Sequence, residues 1–482
     1  MNSGKIASSF IWRLAERFGA QGVTFVVSLV LARILGPEVY GVLALVTVFT
    51  TILQVFVDSG LGTALIQKKD ADDLDFSSVF FFNLALSLFL YLLMFFAAPF
   101  IAAFYGMPVL RPVVRVLSLA IIISAVKNVQ QAYVSRNMLF RKFFFATLGG
   151  TLMAAAVGIL MAIWGYGVWA LVSQYLVNAA VDTLILWLTV KWRPKKCFSY
   201  ARLKELLSFG WKLLGESLVN TFYGNIRSLV IGKLYSPSEL AFYNKAFQLP
   251  EMLAFNVDTS LDSVLLPTMS QRQEDHREVL RLTRLFIQLG TYIMMPAMFG
   301  LALCTVPTIR LLLGSKWLPS APFMQLFCVS YAFYTMATAN YNAYKALGRS
   351  DLYLRVSVIS KCIGLLILLV TMRFGVWVIA LGTLLSTLVN QLVVSVTSFR
   401  LLDYRFSDQL GDILTSLLLS LGMCLAVYLT SLLPLPWLPL LFLQILVGAA
   451  AYILLSVLFH VPSYATVLEL VRMMLHRKKA DA

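Results

Sequence analysis

The sequence predicts an all-α integral membrane protein of about 14 transmembrane helices, built as two parallel six-helix repeats plus two C-terminal helices. Three observations lead there. The 482 residues are 60% hydrophobic and only 13% charged, where soluble domains average roughly 45–50% apolar residues. Low-charge stretches repeatedly reach about 18 residues or more, the length a helix needs to cross about 30 Å of hydrocarbon. Segments about 200 residues apart also repeat one another.

The apolar stretches place spans at about 9–33, 41–66, 77–104, 112–134, 143–164, 167–190, 207–234, 240–268, 282–306, 320–346, 352–372, 376–399, 410–432 and 437–459. Runs such as 359–370 and 441–458 are apolar on every face, whereas a barrel requires alternating segments of about ten residues. Lys5, Arg13, Glu16 and Arg17 accompany the first apolar run, with no short hydrophobic region ending in a small-residue cleavage site. That run therefore reads as a retained helix and not a signal peptide.

The net charge of +16 would suit nucleic acid if the basic residues lined a soluble face. Instead they gather in short loops, chiefly 191–204 and 272–284, and in the tail at Arg472, Arg477, Lys478 and Lys479. With a cytoplasmic N-terminus most of the 39 Lys and Arg fall on the cytoplasmic side. Both termini are thus expected in the cytoplasm, with the basic segments on anionic headgroups and no nucleic-acid partner. Cys197, Cys304, Cys328, Cys362 and Cys424 are far apart, without a CxxC or Cys/His cluster. No disulfide, metal or cofactor is expected.

The repeat pairs Ser9-Phe10-Ile11-Trp12-Arg13-Leu14 with Ser208-Phe209-Gly210-Trp211-Lys212-Leu213, Arg33 with Lys233, and Pro37 with Pro237. It continues through Val57-Asp58-Ser59 and Val257-Asp258-Thr259, and later through Gly167-Val168-Trp169 and Gly375-Val376-Trp377. An even number of helices per repeat keeps the two parallel, with a pseudo-two-fold axis along the membrane normal. The expected divisions are residues 1–200, 201–404 and a 405–482 segment with two extra helices and the basic tail.

Asp58-Ser59-Gly60-Leu61-Gly62-Thr63-Ala64-Leu65-Ile66-Gln67, the Leu35-Gly36-Pro37-Glu38-Val39-Tyr40-Gly41 turn and Gly165-Tyr166-Gly167-Val168-Trp169 resemble the polysaccharide transporter family. So does Ile231-Gly232-Lys233 followed by Leu240-Ala241-Phe242-Tyr243. This family of O-antigen and colanic-acid flippases belongs to the multidrug, oligosaccharidyl-lipid and polysaccharide exporter superfamily. The resemblance covers essentially the whole chain and rests on loose patterns of Gly, Pro and apolar residues. It implies movement of undecaprenyl-diphosphate-linked oligosaccharide across the bacterial inner membrane, with polysaccharide polymerase or export machinery as possible partners. Arg227 departs from it, since many relatives carry an acidic residue there, two positions after Asn225.

Such a substrate needs a polar, partly cationic cavity, and ionisable residues inside spans mark where that cavity lies. On the seventh span Glu216, Asn220, Gly224 and Arg227 share one helical face. Arg227 offers a planar fork to phosphate, and Glu216 a carboxylate for coupling. Pairing of Glu216 with a first-helix Arg, and snorkelling by Arg227, are the bland alternatives. The eighth span carries Lys245, Gln248, Glu251, Asp258 and Asp262, with Glu251, Asp258 and Asp262 as coupling candidates. Asp258 matches Asp58, so a shared structural role, a common helix break or contact, is the favoured reading for that pair. Arg17 and Gln21 on the first span, and Lys361 in the eleventh, are candidates to meet the substrate. Tyr334 and Tyr341, among Tyr331, Thr335, Thr338, Asn342 and Lys345 on the tenth, suit sugars. Gln174, Asn178 and Asp182 on the sixth span suit either the cavity or interhelical hydrogen bonds.

No GxxxxGK[ST] loop is present, so the drive must come from a gradient or the membrane potential. A lipid II flippase, whose last two helices form a groove for the lipid tail, and a cation-coupled drug exporter are the alternatives within the superfamily. An enzyme acting on glycans would need a large outside loop with catalytic carboxylates, and the outside loops are short and nearly free of them.

Overall fold

The computed structural model describes residues 19, 21–58 and 60–469. It is all-helical, and its helices fall into two compact units, Met1–Ala241 and Phe242–Ala482. Arg17 and the basic tail lie outside the described residues.

The first unit opens with α1 (Gln21–Ile34) and α2 (Pro37–Asp58). Pro37 sits at the first helical position, where its fixed φ suits the helix and its missing N–H is not needed. Next comes α3 (Leu61–Gln67), preceded by Gly60 at φ +87°. The Val57 carbonyl at the end of α2 accepts a hydrogen bond from Asn128 Nδ2 at 2.6 Å. A buried carbonyl that has lost its helical partner needs such a replacement.

Then α4 (Asp73–Tyr105) starts with a reciprocal capping box between Asp72 and Asp75 and stops at left-handed Gly106. The fourth predicted span is two helices, α5 (Leu110–Leu117) and α6 (Leu119–Arg136), with the turn tightened by Ile121 N donating to Ser118 O at 3.0 Å. Arg136 closes the end of α3, donating to the carbonyls of Leu65, Lys68 and Lys69 at 2.5–2.9 Å. A guanidinium there also complements the negative end of the helix dipole. α7 (Phe140–Ile163) and α8 (Val168–Thr189) form a close hairpin. A Cβ at Gly150 would lie 3.0 Å from Asn178 O, and one at Gly158 3.0 Å from Gln174 Cβ.

α9 (Tyr200–Leu234) belongs by the sequence repeat with the second half, yet it packs within the first unit against α2, α3 and α4. Small residues make this possible. A Cβ at Gly60 would overlap the Gly210 backbone, and one at Gly232 the Leu45 side chain. Its first turn is also clamped electrostatically. Lys68 Nζ lies 3.1 Å from Asp75 and 2.9 Å from Glu205, and Arg202 lies 3.4 Å from Asp75. In the linker before it, Lys195 meets Asp73 at 2.5 Å. Lys68 is desolvated, which opposes its charge, but Glu205 and Asp75 hold its pKa above the ordinary lysine value. Lys68 in turn holds Glu205 below the usual carboxylate value.

The second unit contains most of α10 (Pro237–Ser270), then α11 (His276–Leu303), α12 (Thr305–Leu312) and a 3-10 turn at Ser315–Ser320. The tenth predicted span is again split, into α13 (Ala321–Ala332) and α14 (Tyr334–Ala346), and is followed by α15 (Ser350–Thr371) and α16 (Val376–Leu402). Last come α17 (Phe406–Thr430) and α18 (Trp437–Leu458). Asp412 staples α17 to α11: Arg284 donates to it through Nε at 2.8 Å and Nη2 at 2.9 Å, and Gln288 at 2.8 Å. Tyr404 adds a fourth bond at 2.6 Å.

Ten of these helical stretches are long and apolar enough to cross a membrane. α1, with 14 described residues, falls short on length, and α13 and α14 are short because Phe333 divides them. α9 and α10 are long but too polar. Among the described residues these less apolar elements carry Gln21, Glu216, Asn220, Arg227, Glu251, Asp258, Asp262, Tyr334 and Tyr341, whereas Lys361 lies on α15 and Gln174, Asn178 and Asp182 lie on α8.

Candidate functional site

In the second unit α10 and α14 face each other through two rungs of polar contacts. Asp258 and Asp262 are one turn apart on α10, as are Thr338 and Asn342 on α14. Thr338 Oγ1 donates to Asp258 Oδ2 at 2.9 Å, and Asn342 Nδ2 donates to Asp262 Oδ1. Asp258 is only 9% exposed, and its Oδ1 has no hydrogen-bond partner among the described residues. A carboxylate in this setting has acceptor capacity left over for a cation, a proton or a water.

Aromatic residues continue the same side of α14. Tyr341 donates to Asn390 on α16 at 3.0 Å and meets Tyr353 edge-on at 5.2 Å. Lys345 Nζ lies 5.0 Å from the Tyr353 ring centre. Tyr334 is partly exposed and packs on Tyr331 at 5.6 Å, which in turn contacts Phe247. Glu251 is exposed on α10, and Lys361 is half-buried on α15. The structure thus brings Asp258, Asp262, Thr338, Asn342 and the tyrosines of α14 together.

In the first unit the α9 face is open. Glu216 and Asn220 are exposed, and nothing lies within 4 Å of a Cβ built at Gly215 or Gly224. Arg227 is half-buried, with its guanidinium 5.4 Å from the Tyr223 ring. Gln21 is exposed on α1. Gln174 and Asn178 are taken up by contact with the glycines of α7, the interhelical alternative.

One pairing escaped the sequence reading. Lys127 on α6 lies 3.2 Å from Asp182 on α8, both side chains largely buried. The signal was present, since Lys127 is a lone charge inside an apolar stretch. The second unit also holds an apolar groove of about 480 Å³ between α11, α17 and α18, lined by Pro296, Gly300, Met423, Leu441, Gly448 and Tyr452 among others.

The profile of the polysaccharide biosynthesis protein family matches residues 30–322. The chain belongs to that family. The chain is 27% identical over 349 residues to the succinoglycan biosynthesis transport protein ExoT of Rhizobium meliloti, covering 72% of this chain and 71% of that one. It is 26% identical over 313 residues to the lipopolysaccharide biosynthesis protein WzxC of Escherichia coli, covering 64% and 63%. The teichuronic acid biosynthesis protein TuaB of Bacillus subtilis is 25% identical over 314 residues, 63% of each chain. The fold of this chain is similar to that of the lipid II flippase MurJ in an inward closed conformation, with a TM-score of 0.78 over 94% of this chain and 99% of that one at 15% identity. An inward-facing multidrug resistance transporter of the MATE family, itself of the MOP superfamily, matches at a TM-score of 0.57 over 81% of this chain and 98% of that one, at 16% identity. Like these, the family member described here is a multi-pass membrane protein.

Proposed function

We propose that this protein is a flippase that carries undecaprenyl-diphosphate-linked oligosaccharide across the bacterial inner membrane for surface-polysaccharide synthesis, and that it acts as a transporter and not an enzyme. The carrying observation is where polarity sits. Ten stretches are predominantly apolar, whereas α9 and α10, at 35 and 34 residues, and the α13–α14 pair hold most of the acidic, basic and aromatic candidates. A helix of that length with an open polar face is stable in a membrane only where the face meets a hydrated cavity or protein.

In this reading α1, α9, α10 and α13–α14 also cross the bilayer, so that ten plus four makes 14 spans with both termini cytoplasmic. The element order supports two six-helix repeats, α1 to α8 and α9 to α16, with the fourth span split in each and α17–α18 added. Arg227, Lys361, Asn220, Gln21 and Arg17 meet the diphosphate and its neighbouring sugar, while Tyr334 and Tyr341 stack against the glycan. Glu216, Glu251, Asp258 and Asp262 couple transport to a cation or proton, with Asp258 Oδ1 the unpaired acceptor. The apolar groove beside α17 and α18 houses the prenyl tail. The two halves rock to alternate access, and polymerase or export machinery receives the product.

Deleting the gene and identifying the lipid-linked glycan that accumulates tests this. The expected result is a diphosphate-linked oligosaccharide shielded on the cytoplasmic leaflet, restored to export by the plasmid-borne gene. Accumulation of lipid II instead would favour the second reading, a peptidoglycan flippase, which the MurJ-like fold supports. Unchanged lipid-linked glycans would refute both.

A further inference from the structure

Beside the first turn of α18 stands a cation that no carboxylate pairs among the described residues. Arg310 on α12 has its guanidinium 6.0 Å from the ring centre of Trp437, the first residue of α18. Its Nε is buried and has no hydrogen-bond partner, and no carboxylate pairs with it among the described residues. A guanidinium that serves only to hold a fold ordinarily has its donors satisfied. Here the buried Nε donor is left over, and with a neighbouring Nη it forms the edge of a guanidinium that takes phosphate oxygens two at a time.

The groove's lining starts one turn along α18 from Trp437. Trp437, Leu441, Gln444 and Gly448 follow one another at steps of four, three and four, one face of α18. The last three line the groove, with Cys304 and Thr308 from the neighbourhood of Arg310. Gln444 is 4% exposed and donates to Ser431 Oγ at 2.9 Å, but its Oε1 has no partner among the described residues. The feature therefore combines an unpaired cation, an indole of the kind found at membrane interfaces, an apolar slot and a buried acceptor in its wall. Each part matches one part of an amphiphile with an anionic head.

We infer that Arg310, backed by Trp437, anchors the phosphate of a prenyl lipid whose chain lies in the α11–α17–α18 groove. This rests on the proposed flippase reading and adds to it a holding point at the α17–α18 turn, on the non-cytoplasmic side in that reading. Arg310 is there to grip the head once it has crossed, while the tail remains in the groove.

The test uses the purified full-length protein in phosphatidylcholine nanodiscs, with undecaprenyl phosphate, undecaprenol and phosphatidylglycerol as probes and native mass spectrometry as the readout. Wild type is expected to bind undecaprenyl phosphate at least tenfold more tightly than undecaprenol. Arg310→Gln should abolish that preference and leave undecaprenol binding unchanged. Arg310→Lys, which keeps a point charge and guards against a folding defect, should retain part of it. An undiminished preference in Arg310→Gln would overturn the inference while leaving the flippase reading intact. Equal competition by phosphatidylglycerol, dependent on Arg310, would also overturn it, as an ordinary lipid contact. A wild type that binds neither prenyl lipid would instead sink the flippase reading, and this inference with it.

Discussion

Replacing Asp412 should loosen α17 from α11, and the structure sets the size of the effect. The carboxylate accepts four hydrogen bonds, two from Arg284 and one each from Gln288 and Tyr404. Its side chain is 4% exposed, whereas that of Arg284 is 48% exposed. Charge-assisted hydrogen bonds contribute about 1.5–3 kcal/mol each when taken singly, and removing one member of a fully buried pair costs about 3–5 kcal/mol. Arg284 can regain water when its partner is lost, so most of the penalty falls on Gln288 and Tyr404. Asp412→Ala is therefore expected to destabilise by about 2–3 kcal/mol, below the fully buried case. Asp412→Asn keeps the shape and some acceptors, and about 1–2 kcal/mol is expected. Denaturant unfolding in micelles, followed by tryptophan fluorescence, measures both. An Asp412→Ala protein within about 0.5 kcal/mol of wild type would refute the staple. Because α17 also walls the apolar groove, the same variant should bind prenyl lipid more weakly.

Three further outcomes are expected. The Arg227→Ala, Lys361→Ala double variant should abolish polysaccharide export at near-normal membrane abundance, assayed by surface-glycan staining and immunoblotting; normal export would remove the cationic-cavity mechanism. Gly60→Ala should lower stability well beyond Gly106→Ala, because both glycines have positive φ but only Gly60 abuts another backbone, the left-handed penalty alone being roughly 1–2 kcal/mol; equal losses would contradict the close approach to Gly210. The Lys68–Glu205 clamp should stabilise from acid to alkaline pH and fade at both ends. Glu205 has a lowered pKa, so its contribution is full above the ordinary carboxylate value of about 4.3 and lost as pH falls through the lowered one; Lys68 has a raised pKa, so its contribution is full below about 10.4 and lost as pH rises through the raised one. The melting-temperature gap between wild type and Glu205→Gln should therefore be flat near neutrality and narrow at both extremes, and a gap that grows in acid would be inconsistent with an ion pair.

The helical class and the family were legible because hydropathy and short Gly/Pro motifs are local properties of the chain. Hydropathy is blind to a single residue that changes the hydrogen-bond pattern, so the splits at Ser118 and Phe333 went unseen. The matched Asp58 and Asp258 suggested equivalent local structure, but the chain divides into α2 and α3 after the first and runs on as α10 past the second. There Thr259 and Ser260 turn their hydroxyls back to the carbonyls of Phe255 and Asn256. At the site, the stripes on α9 and α10 were readable from helical periodicity. Their partners were not, since Thr338 opposite Asp258, and Lys127 opposite Asp182, are set by packing between segments distant in sequence. Arg310 was passed over because nothing in the sequence around it signals an unpaired donor.

The divided spans have a mechanical consequence. At both Ser118 and Phe333 the next turn is held by a bond three residues on, Ile121 N to Ser118 O at 3.0 Å and Met336 N to Phe333 O at 3.3 Å. Two stiff rods meet there at a softer joint, and the two joints occupy corresponding places in the element order. A continuous rod meets a thinner bilayer only by tilting as a whole, whereas a jointed one can fold slightly and shorten its projection while its ends stay seated. Compliance of this kind would let the surrounding helices keep their angles as lipid thickness varies, concentrating the response to the bilayer in α5–α6 and α13–α14.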